Sequence, residues 1–416
     1  MAIRRVVVVG AGAVGLSTAW FLQEHDIQVT VLDRVGVAAD ASWGNAGWLA
    51  PALTLPLPSP DVLRYGLRSV FTPSSPVYVP PTTDTRLIRF LLGFARHCTT
   101  RQWRSTMGVF AQLNRRALEA YDDLTRGGRE NRVAEMTRTA DPFLAAFTSD
   151  ADRDHLVAEL EQARTAGSDI DYDVLEGATT RSLEPLLGAA VRSGVRIRGQ
   201  RYIDPPRFVD ALATSVRERG GEIVTCFDAV EVRDSGGEVV VSAADGDERH
   251  ADAVVLATGA RLNALARPFG VRTPVQAGRG YSFSVQPATL PKNPIYFPAQ
   301  RVACTPLHDR LRIAGMMEFR SPDAPLDPRR ITAIVDATRP LLPRIDWDGR
   351  HEEWVGSRPC TADGLPLIGC TRSPRIFVAG GHGMWGVALG PMTGRMLADA
   401  ITGQQDPLLK YLDPLR

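Results

Sequence analysis

Residues 6–22 read VVVVGAGAVGLSTAWFL, and within them Gly10-Ala11-Gly12-Ala13-Val14-Gly15 decides the fold. Residues 3–9 are rich in β-branched side chains with no polar alternation after Arg5, the pattern of a strand buried on both faces of a parallel sheet. Leu16, Ala19, Trp20 and Phe21 then recur at helical spacing, and residues 28–32 return to a strand. The glycines permit a tight turn and let a pyrophosphate approach the helix N-terminus. Asp33 ends the second strand about 20 residues on, where a carboxylate can accept a hydrogen bond from a ribose hydroxyl. Strand, glycine loop, helix and acid together specify a dinucleotide site; the glycines alone would equally describe a ligand-free turn.

Working outward, a second unit opens at Asp204, which can cap a helix that Pro205 starts and whose apolar face is Phe208, Leu212 and Val216. Gly220 and Gly221 end it. Strand-like pieces follow at 222–226, 229–233, 239–242 and 253–256, with Gly236-Gly237 as a hairpin turn. The last runs through ADAVVLATGA, residues 251–260, which places Thr258 and Gly259 in a small-residue turn after a buried strand. A third piece, 375–379, again enters a glycine-rich turn, FVAGGHGMWG at 377–386. One sheet is therefore expected from three separated stretches, residues 1–50, 200–260 and 351–416. Residues 51–199 and 261–350 differ in character and are expected to form a substrate-binding domain.

A chain of 416 residues fits two interleaved domains better than one core. Its net charge of +1 supplies no field that would draw it to nucleic acid. Cys98, Cys226, Cys304, Cys360 and Cys370 show neither a CxxC pair nor a matching histidine spacing, so no disulfide frame and no metal site is expected, and a reducing cytoplasm fits. The N-terminal apolar run ends at a glycine loop rather than a cleavage site, and no run approaches the roughly 20 residues that span a bilayer. Residues 72–81 are a proline-rich connector. Residues 85–98 are basic and amphipathic, with Leu87, Ile88, Leu91, Leu92 and Phe94 facing away from Arg89 and Arg96. Such a helix either covers the core or rests on the inner face of a membrane as a peripheral contact.

The fingerprint does not choose between NAD and FAD, since both present the same adenosine diphosphate. An NAD domain seldom needs a C-terminal segment to complete its site, whereas a flavin reaching across a split domain does, so FAD is favoured. The expected fold class is α/β, with a discontinuous Rossmann-like FAD-binding domain of glutathione-reductase type and an α+β substrate domain. Five stretches carry a family resemblance: GAGAVGLSTAWFL (10–22), SWGNAGWLAP (42–51), GRGYSF (278–283), GSRPCTADGLPLIG (356–369) and GGHGMWGVALGPMTGRMLADAI (380–401). In these the chain resembles the D-amino acid oxidase superfamily of FAD enzymes, most closely its bacterial D-amino acid dehydrogenases and next glycine oxidase.

The resemblance implies that Gly10, Ala11, Gly12, Ala13, Val14, Gly15, Asp33 and Arg34 hold the adenosine diphosphate, with Val230 meeting adenine through its backbone and Thr258 and Gly259 also on the cofactor. It implies that Ser42, Asn45, Ala46, Gly47 and Leu49 follow the ribityl chain and ring edge. Gly383, Met384, Trp385, Gly386 and Val387 would bring N–H groups and a helix start to the flavin pyrimidine, where negative charge develops. Pro391 argues that this helix begins late or kinks.

In the family the arginine of a G-x-RP segment, here Arg358, forks the substrate carboxylate, a task suited to a planar guanidinium. Elsewhere in a chain an arginine is more often a surface or capping residue. Tyr281 is a candidate for the pocket wall or a carboxylate hydroxyl, with core packing as the alternative. His382 either touches the flavin or satisfies its turn. Two departures stand out. Glycine oxidase has a tyrosine at the strand that reads 301–305 here, and this chain has none. Cys360 lies near the segment through which related sarcosine oxidases attach flavin, but its spacing differs, so non-covalent FAD is expected. The implied activity is oxidative deamination of a D-amino acid to a 2-oxo acid and ammonia, with oxygen or a quinone or dye as acceptor. The alternatives are an oxidase of glycine, sarcosine or another secondary amine, an NAD-dependent dehydrogenase, and a flavin-bearing subunit without turnover of its own.

Overall fold

The computed structural model describes residues 3–69, 75–126 and 132–416, so residues 72–74 of the proline-rich connector lie outside the described residues. The strand Arg5–Val9 pairs in parallel with Gln28–Leu32 on one side and Ala253–Leu256 on the other. Val6 and Val8 enter one apolar cluster and Val7 and Val9 another. Burial on both faces is what the unbroken apolar run demands, and each fully buried valine contributes about 1.5–3 kcal/mol over an exposed one. The six-stranded sheet runs in the order Glu222–Val224, Gln28–Leu32, Arg5–Val9, Ala253–Leu256, Ile376–Gly380, Leu367–Cys370. Five strands are parallel and the last returns antiparallel. The three separated stretches thus build one Rossmann-like sheet of an α/β protein. The predicted hairpin at Gly236-Gly237 instead joins Ala229–Asp234 to Val239–Ala243 within a separate three-stranded antiparallel sheet.

The helices Ala13–Glu24 and Gly386–Ile401 pack through glycine. A Cβ on Gly390 would lie 3.5 Å from Ala13, and one on Gly394 would lie 2.6 Å from the Ser17 carbonyl carbon. Because both contacts advance by four residues on each helix, the helices run the same way and their N-termini open at the same side of the sheet. The second helix begins at Gly386 and carries Pro391 inside it, so the proline neither delays the start nor sits in the first turn. Tyr121 reaches over from the helix Thr100–Arg126 and donates to the Val387 carbonyl at 2.6 Å. The helix Pro205–Glu218 does begin at its proline, but the Asp204 side chain does not cap it. Both Asp204 carboxylate oxygens are buried without a hydrogen-bond partner among the described residues, and Arg310 Nη2 lies 3.7 Å away.

A nine-stranded mixed sheet forms the second layer, in the order His351–Thr361, Val275–Val285, Arg310–Phe319, Val302–Leu307, Ile295–Phe297, Phe143–Phe147, Ser193–Ile197, Tyr172–Glu176, with Val77–Tyr78 added beside Arg310–Phe319. This corrects one expected boundary. Residues 351–361 pair with Val275–Val285 and belong to this sheet, so the third stretch joins the dinucleotide sheet only after them. The reason is a long antiparallel ladder that no local motif announces.

The amphipathic helix is Thr85–His97, capped by Asp84, whose carboxylate accepts from the Arg86 N–H. Leu87, Phe90 and Phe94 are buried, whereas Ile88 and Leu92 are 42% and 58% exposed. The inward stripe is therefore rotated from the expected one, with Phe90 replacing Ile88 and Leu92. Among the described residues no helix is long and apolar enough to cross a membrane.

Candidate active site

The glycine loop is shaped by backbone. Gly10 has φ +118°, and a Cβ there would lie 2.4 Å from the Ala257 carbonyl oxygen; a Cβ on Gly15 would lie 1.9 Å from the Gly10 carbonyl oxygen. No side chain larger than hydrogen fits either place. Asp33 closes the loop from the next strand. One carboxylate oxygen accepts from the Ala11 N–H at 2.8 Å and the other from the Val35 and Gly36 N–H groups, both at 2.9 Å. A carboxylate has about four lone-pair sites, so one remains for a ribose hydroxyl. Arg34 beside it is exposed. Ser42 Oγ accepts from the Ala13 N–H at 3.0 Å, which ties the segment after the second strand to the helix start.

Three further features fit a bound dinucleotide. Thr258 Oγ1 is buried without a hydrogen-bond partner among the described residues, directly after Ala257, which backs the glycine loop, and Gly259 follows at φ +55°. The antiparallel ladder of Ala229–Asp234 shifts register between Ala229 and Glu231, so Val230 bulges out, its side chain 55% exposed. A bulge frees main-chain groups from the ladder for another partner. Finally, Gly386 starts its helix beside Val14, so the partial positive charge of two helix N-termini converges on one region. Met384 packs partly against the apolar cluster that contains Met317 and Cys360, Trp385 Nε1 donates to the Leu55 carbonyl at 2.8 Å, and Val387 is buried.

The substrate sheet grips the segment 43–48. Residues directly opposite on neighbouring strands share a face. The register therefore places Arg358, Trp354, Gly278, Gly280, Ser282, Ala314, Arg312, Thr305, Ala303 and Tyr296 on one face. Ser282 Oγ donates to the Gly44 carbonyl at 2.9 Å and Thr305 Oγ1 to the Ala46 carbonyl at 2.7 Å. The Arg312 guanidinium lies 4.8 Å from the centroid of the Trp43 ring, and Trp48 Nε1 donates to Thr305 Oγ1 at 2.9 Å. Asn45 turns the segment by accepting from the Gly47 N–H, and Gly47, at φ +75°, has no room for a Cβ beside the Ile203 carbonyl, 2.2 Å away. Leu49 is buried in the core. Thr305 and Arg312 carry no short-range signal, and Ser282 sits inside GRGYSF with nothing local to mark which face it takes.

Arg358 occupies the same face. Its guanidinium crosses Gly280, where a Cβ would meet Nη2 at 2.1 Å, and Nη1 donates to the Met316 carbonyl at 2.7 Å. Met316 sits at φ +63°, where the ladder shifts register opposite Gly280. A bulky residue in that region costs on the order of 1–3 kcal/mol, and here it aims a carbonyl at the guanidinium. Among the described residues no carboxylate pairs with Arg358. Burial pulls its guanidinium down to about 10, the mark of a cation without its counter-charge. An incoming carboxylate would supply it.

The structure does not bring Tyr281 to Arg358. Tyr281 lies on the opposite face of the sheet, fully buried, and donates to Glu318 Oε2 at 2.5 Å; it is part of the core, and the pocket-wall expectation is corrected. His382 is buried, with Nε2 2.9 Å from Thr393 Oγ1, and its residue forms a bridge with Cys360. Burial holds its imidazole down at about 4, so it is neutral near pH 7. Cys360 is likewise buried, and its thiol is pushed up to about 12 by that burial, with the Arg358 charge acting against the rise.

Along nearly its whole length the chain matches known proteins. Residues 5–400 match the DAO family, described as FAD dependent oxidoreductase. The chain belongs to this family. As a family member it is an FAD-dependent oxidoreductase, and the residues above fit that cofactor. It is 31% identical to a D-amino acid dehydrogenase of Phenylobacterium zucineum over 424 residues, covering 98% of this chain and 96% of that protein. It is 30% identical to a D-amino acid dehydrogenase of Xylella fastidiosa over 410 residues, covering 95% and 92%. Among solved structures it resembles glycine oxidase from Geobacillus kaustophilus, with a TM-score of 0.73, 22% identity and 99% of each chain covered. A likeness at that identity speaks for the fold alone.

Proposed function

We propose that this FAD-dependent oxidoreductase oxidatively deaminates D-amino acids, with Arg358 holding the substrate carboxylate. The observation that carries the reading is a guanidinium without a carboxylate partner among the described residues, aimed across Gly280 on the sheet face that also holds the segment 43–48. The naming of several relatives as D-amino acid dehydrogenase supports the substrate class. FAD, when bound, accepts the hydride from the substrate Cα. The chain's part is positioning: Arg358 fixes one end of the substrate, the bulge at Met316 fixes Arg358, and Ser282, Arg312 and Thr305 fix the segment along the ring edge. The glycine loop, Asp33, Arg34, Val230, Thr258 and Gly259 hold the dinucleotide, and the turn 383–387 supplies N–H groups to the ring. The oxidised substrate is an imine, which adds water and releases ammonia and a 2-oxo acid.

Anaerobic addition of D-alanine to the yellow holoenzyme tests the reading: bleaching by D-alanine but not by L-alanine is expected, and bleaching by L-alanine or by sarcosine alone would overturn it. For the acceptor, the exposed pair Ile88 and Leu92, flanked by exposed Arg86, Arg89 and Arg96, supports a peripheral membrane contact and a quinone. Co-sedimentation with anionic vesicles that Ile88→Ser/Leu92→Ser abolishes is the expected result; no sedimentation of the wild type would remove that support.

A further inference from the structure

We infer that Tyr296 closes the substrate trough at the end opposite Arg358 and sets the length of side chain the enzyme accepts. This rests on the reading of Arg358 as the carboxylate anchor. The floor of the trough is made of residues with almost no side chain, Gly280, Ala314 and Ala303, on three successive strands, and Ala303 is partly open to solvent. Arg358 reaches over the first of these strands to the Met316 carbonyl on the second. Tyr296 stands directly opposite Ala303 on the next strand. From the strand that carries Met316 to the strand that carries Tyr296 is two interstrand steps, about 10 Å. That span holds an α-carbon, its carboxylate and a short side chain.

Tyr296 is built as a fixed wall. Its ring meets Trp48 edge-to-face, with centroids 5.2 Å apart, and Trp48 is itself held by Phe143 at 4.8 Å and by its hydrogen bond to Thr305. The side chain is partly open to solvent although closely surrounded, as expected of a wall in a cleft. Burial raises its phenol, with the Arg301 charge acting against that rise and the Glu159 charge adding to it.

The class of substrate follows: D-amino acids with short side chains, alanine-like rather than norleucine-like. In a closed apolar site each methylene too many is worth roughly 10–200-fold in kcat/KM. The experiment compares kcat/KM for D-norleucine and D-alanine in wild type, Tyr296→Ala and Tyr296→Phe holoenzymes. Tyr296→Ala is expected to raise the norleucine-to-alanine ratio at least 10-fold, and Tyr296→Phe to leave it within about threefold, because the ring and not the hydroxyl is the wall. An unchanged ratio in Tyr296→Ala, or an equal rise in Tyr296→Phe, overturns the inference. Ala303→Val reads the same trough from its floor and is expected to lower the ratio for D-valine over D-alanine; no change there overturns it as well. If D-alanine fails to bleach even the wild type, it is the assignment of activity that falls. If D-alanine bleaches it and the ratios do not move, only the wall does.

Discussion

Glycine does different work in the two sheets. Around the dinucleotide sheet a Cβ would strike main chain: Gly10 meets the Ala257 carbonyl oxygen at 2.4 Å, Gly15 the Gly10 oxygen at 1.9 Å, and Gly394 the Ser17 carbonyl carbon at 2.6 Å. At three glycines of the nine-stranded sheet a Cβ would strike side chains: Gly278 meets Met317 Sδ at 2.5 Å, Gly280 meets Arg358 Nη2 at 2.1 Å, and Gly356 meets the Trp354 ring at 2.0 Å, while Gly315 there meets the Arg301 carbonyl oxygen at 3.0 Å. Main chain in a sheet or helix cannot yield, while a side chain can swing to another rotamer. The first set of glycines therefore protects the fold, and the second protects the places where functional side chains lie.

The strongest way to break this contrast is Gly15→Ala. With 1.9 Å between the new Cβ and the Gly10 oxygen, the loop must open, at a cost above about 3 kcal/mol. The expected product has no flavin absorbance after purification, and a yellow protein with full flavin content would show that the loop has slack the geometry denies.

On the other sheet the largest effect belongs to Arg358→Leu. Loss of the charge-assisted pair to a substrate carboxylate should lower kcat/KM for D-alanine on the order of 10³-fold while flavin content stays at the wild-type level. A parallel loss of flavin would mean that the two sheets are not separable in this way.

The same division explains what could be read from the sequence. The loop 10–15 and the acid at 33 lie within one short stretch, so a short window exposes them, whereas the helix contact of Gly390 and Gly394 with Ala13 and Ser17 joins distant residues and is not legible there. The membership of residues 351–361 in the nine-stranded sheet depends on a ladder with Val275–Val285, 76 residues earlier in the chain at the pair Gly280 and Gly356, and no window spans it. Tyr281 stays open between pocket wall and core packing in the sequence for the same reason: GRGYSF shows an alternation, but only the register with His351–Thr361 tells which parity shares the face of Arg358. Ser282, on the parity of Arg358, sits inside GRGYSF with nothing local to mark its face, and Thr305, Arg312 and Tyr296 carry no motif at all.

His382 tests the seam between the two sheets, since its bridge to Cys360 joins the turn before the C-terminal helix to the strand of Arg358. Its imidazole titrates at about 4 in the folded chain, against about 6.5 when unfolded. Above pH 6.5 both states are neutral and the group is silent. Between 6.5 and 4 the unfolded chain takes up a proton that the folded chain refuses, so stability falls as pH falls, by up to about 3 kcal/mol from this site. Chemical denaturation at pH 7 and pH 4.5 should show wild type losing about 2–3 kcal/mol more than His382→Gln over that interval. Equal losses would mean that the seam opens without the histidine's help.

The finest test is Gly280→Ala, the counterpart of Gly15→Ala on the other sheet. The added methyl falls 2.1 Å from Arg358 Nη2, so the guanidinium must leave its place over the strand. It has somewhere to go, because it is a long side chain anchored through Nη1 alone, to the Met316 carbonyl at 2.7 Å and to Met317 Sδ at 3.8 Å. The fold should survive, with a melting temperature and flavin content close to wild type. Displacement of the carboxylate anchor should lower kcat/KM for D-alanine by about 10–100-fold, through KM more than kcat, since the anchor holds substrate and transition state alike. If Gly280→Ala instead loses its flavin as Gly15→Ala does, the substrate sheet is as intolerant as the dinucleotide sheet, and the clash is transmitted through Arg358 and the Met316 bulge into the main chain.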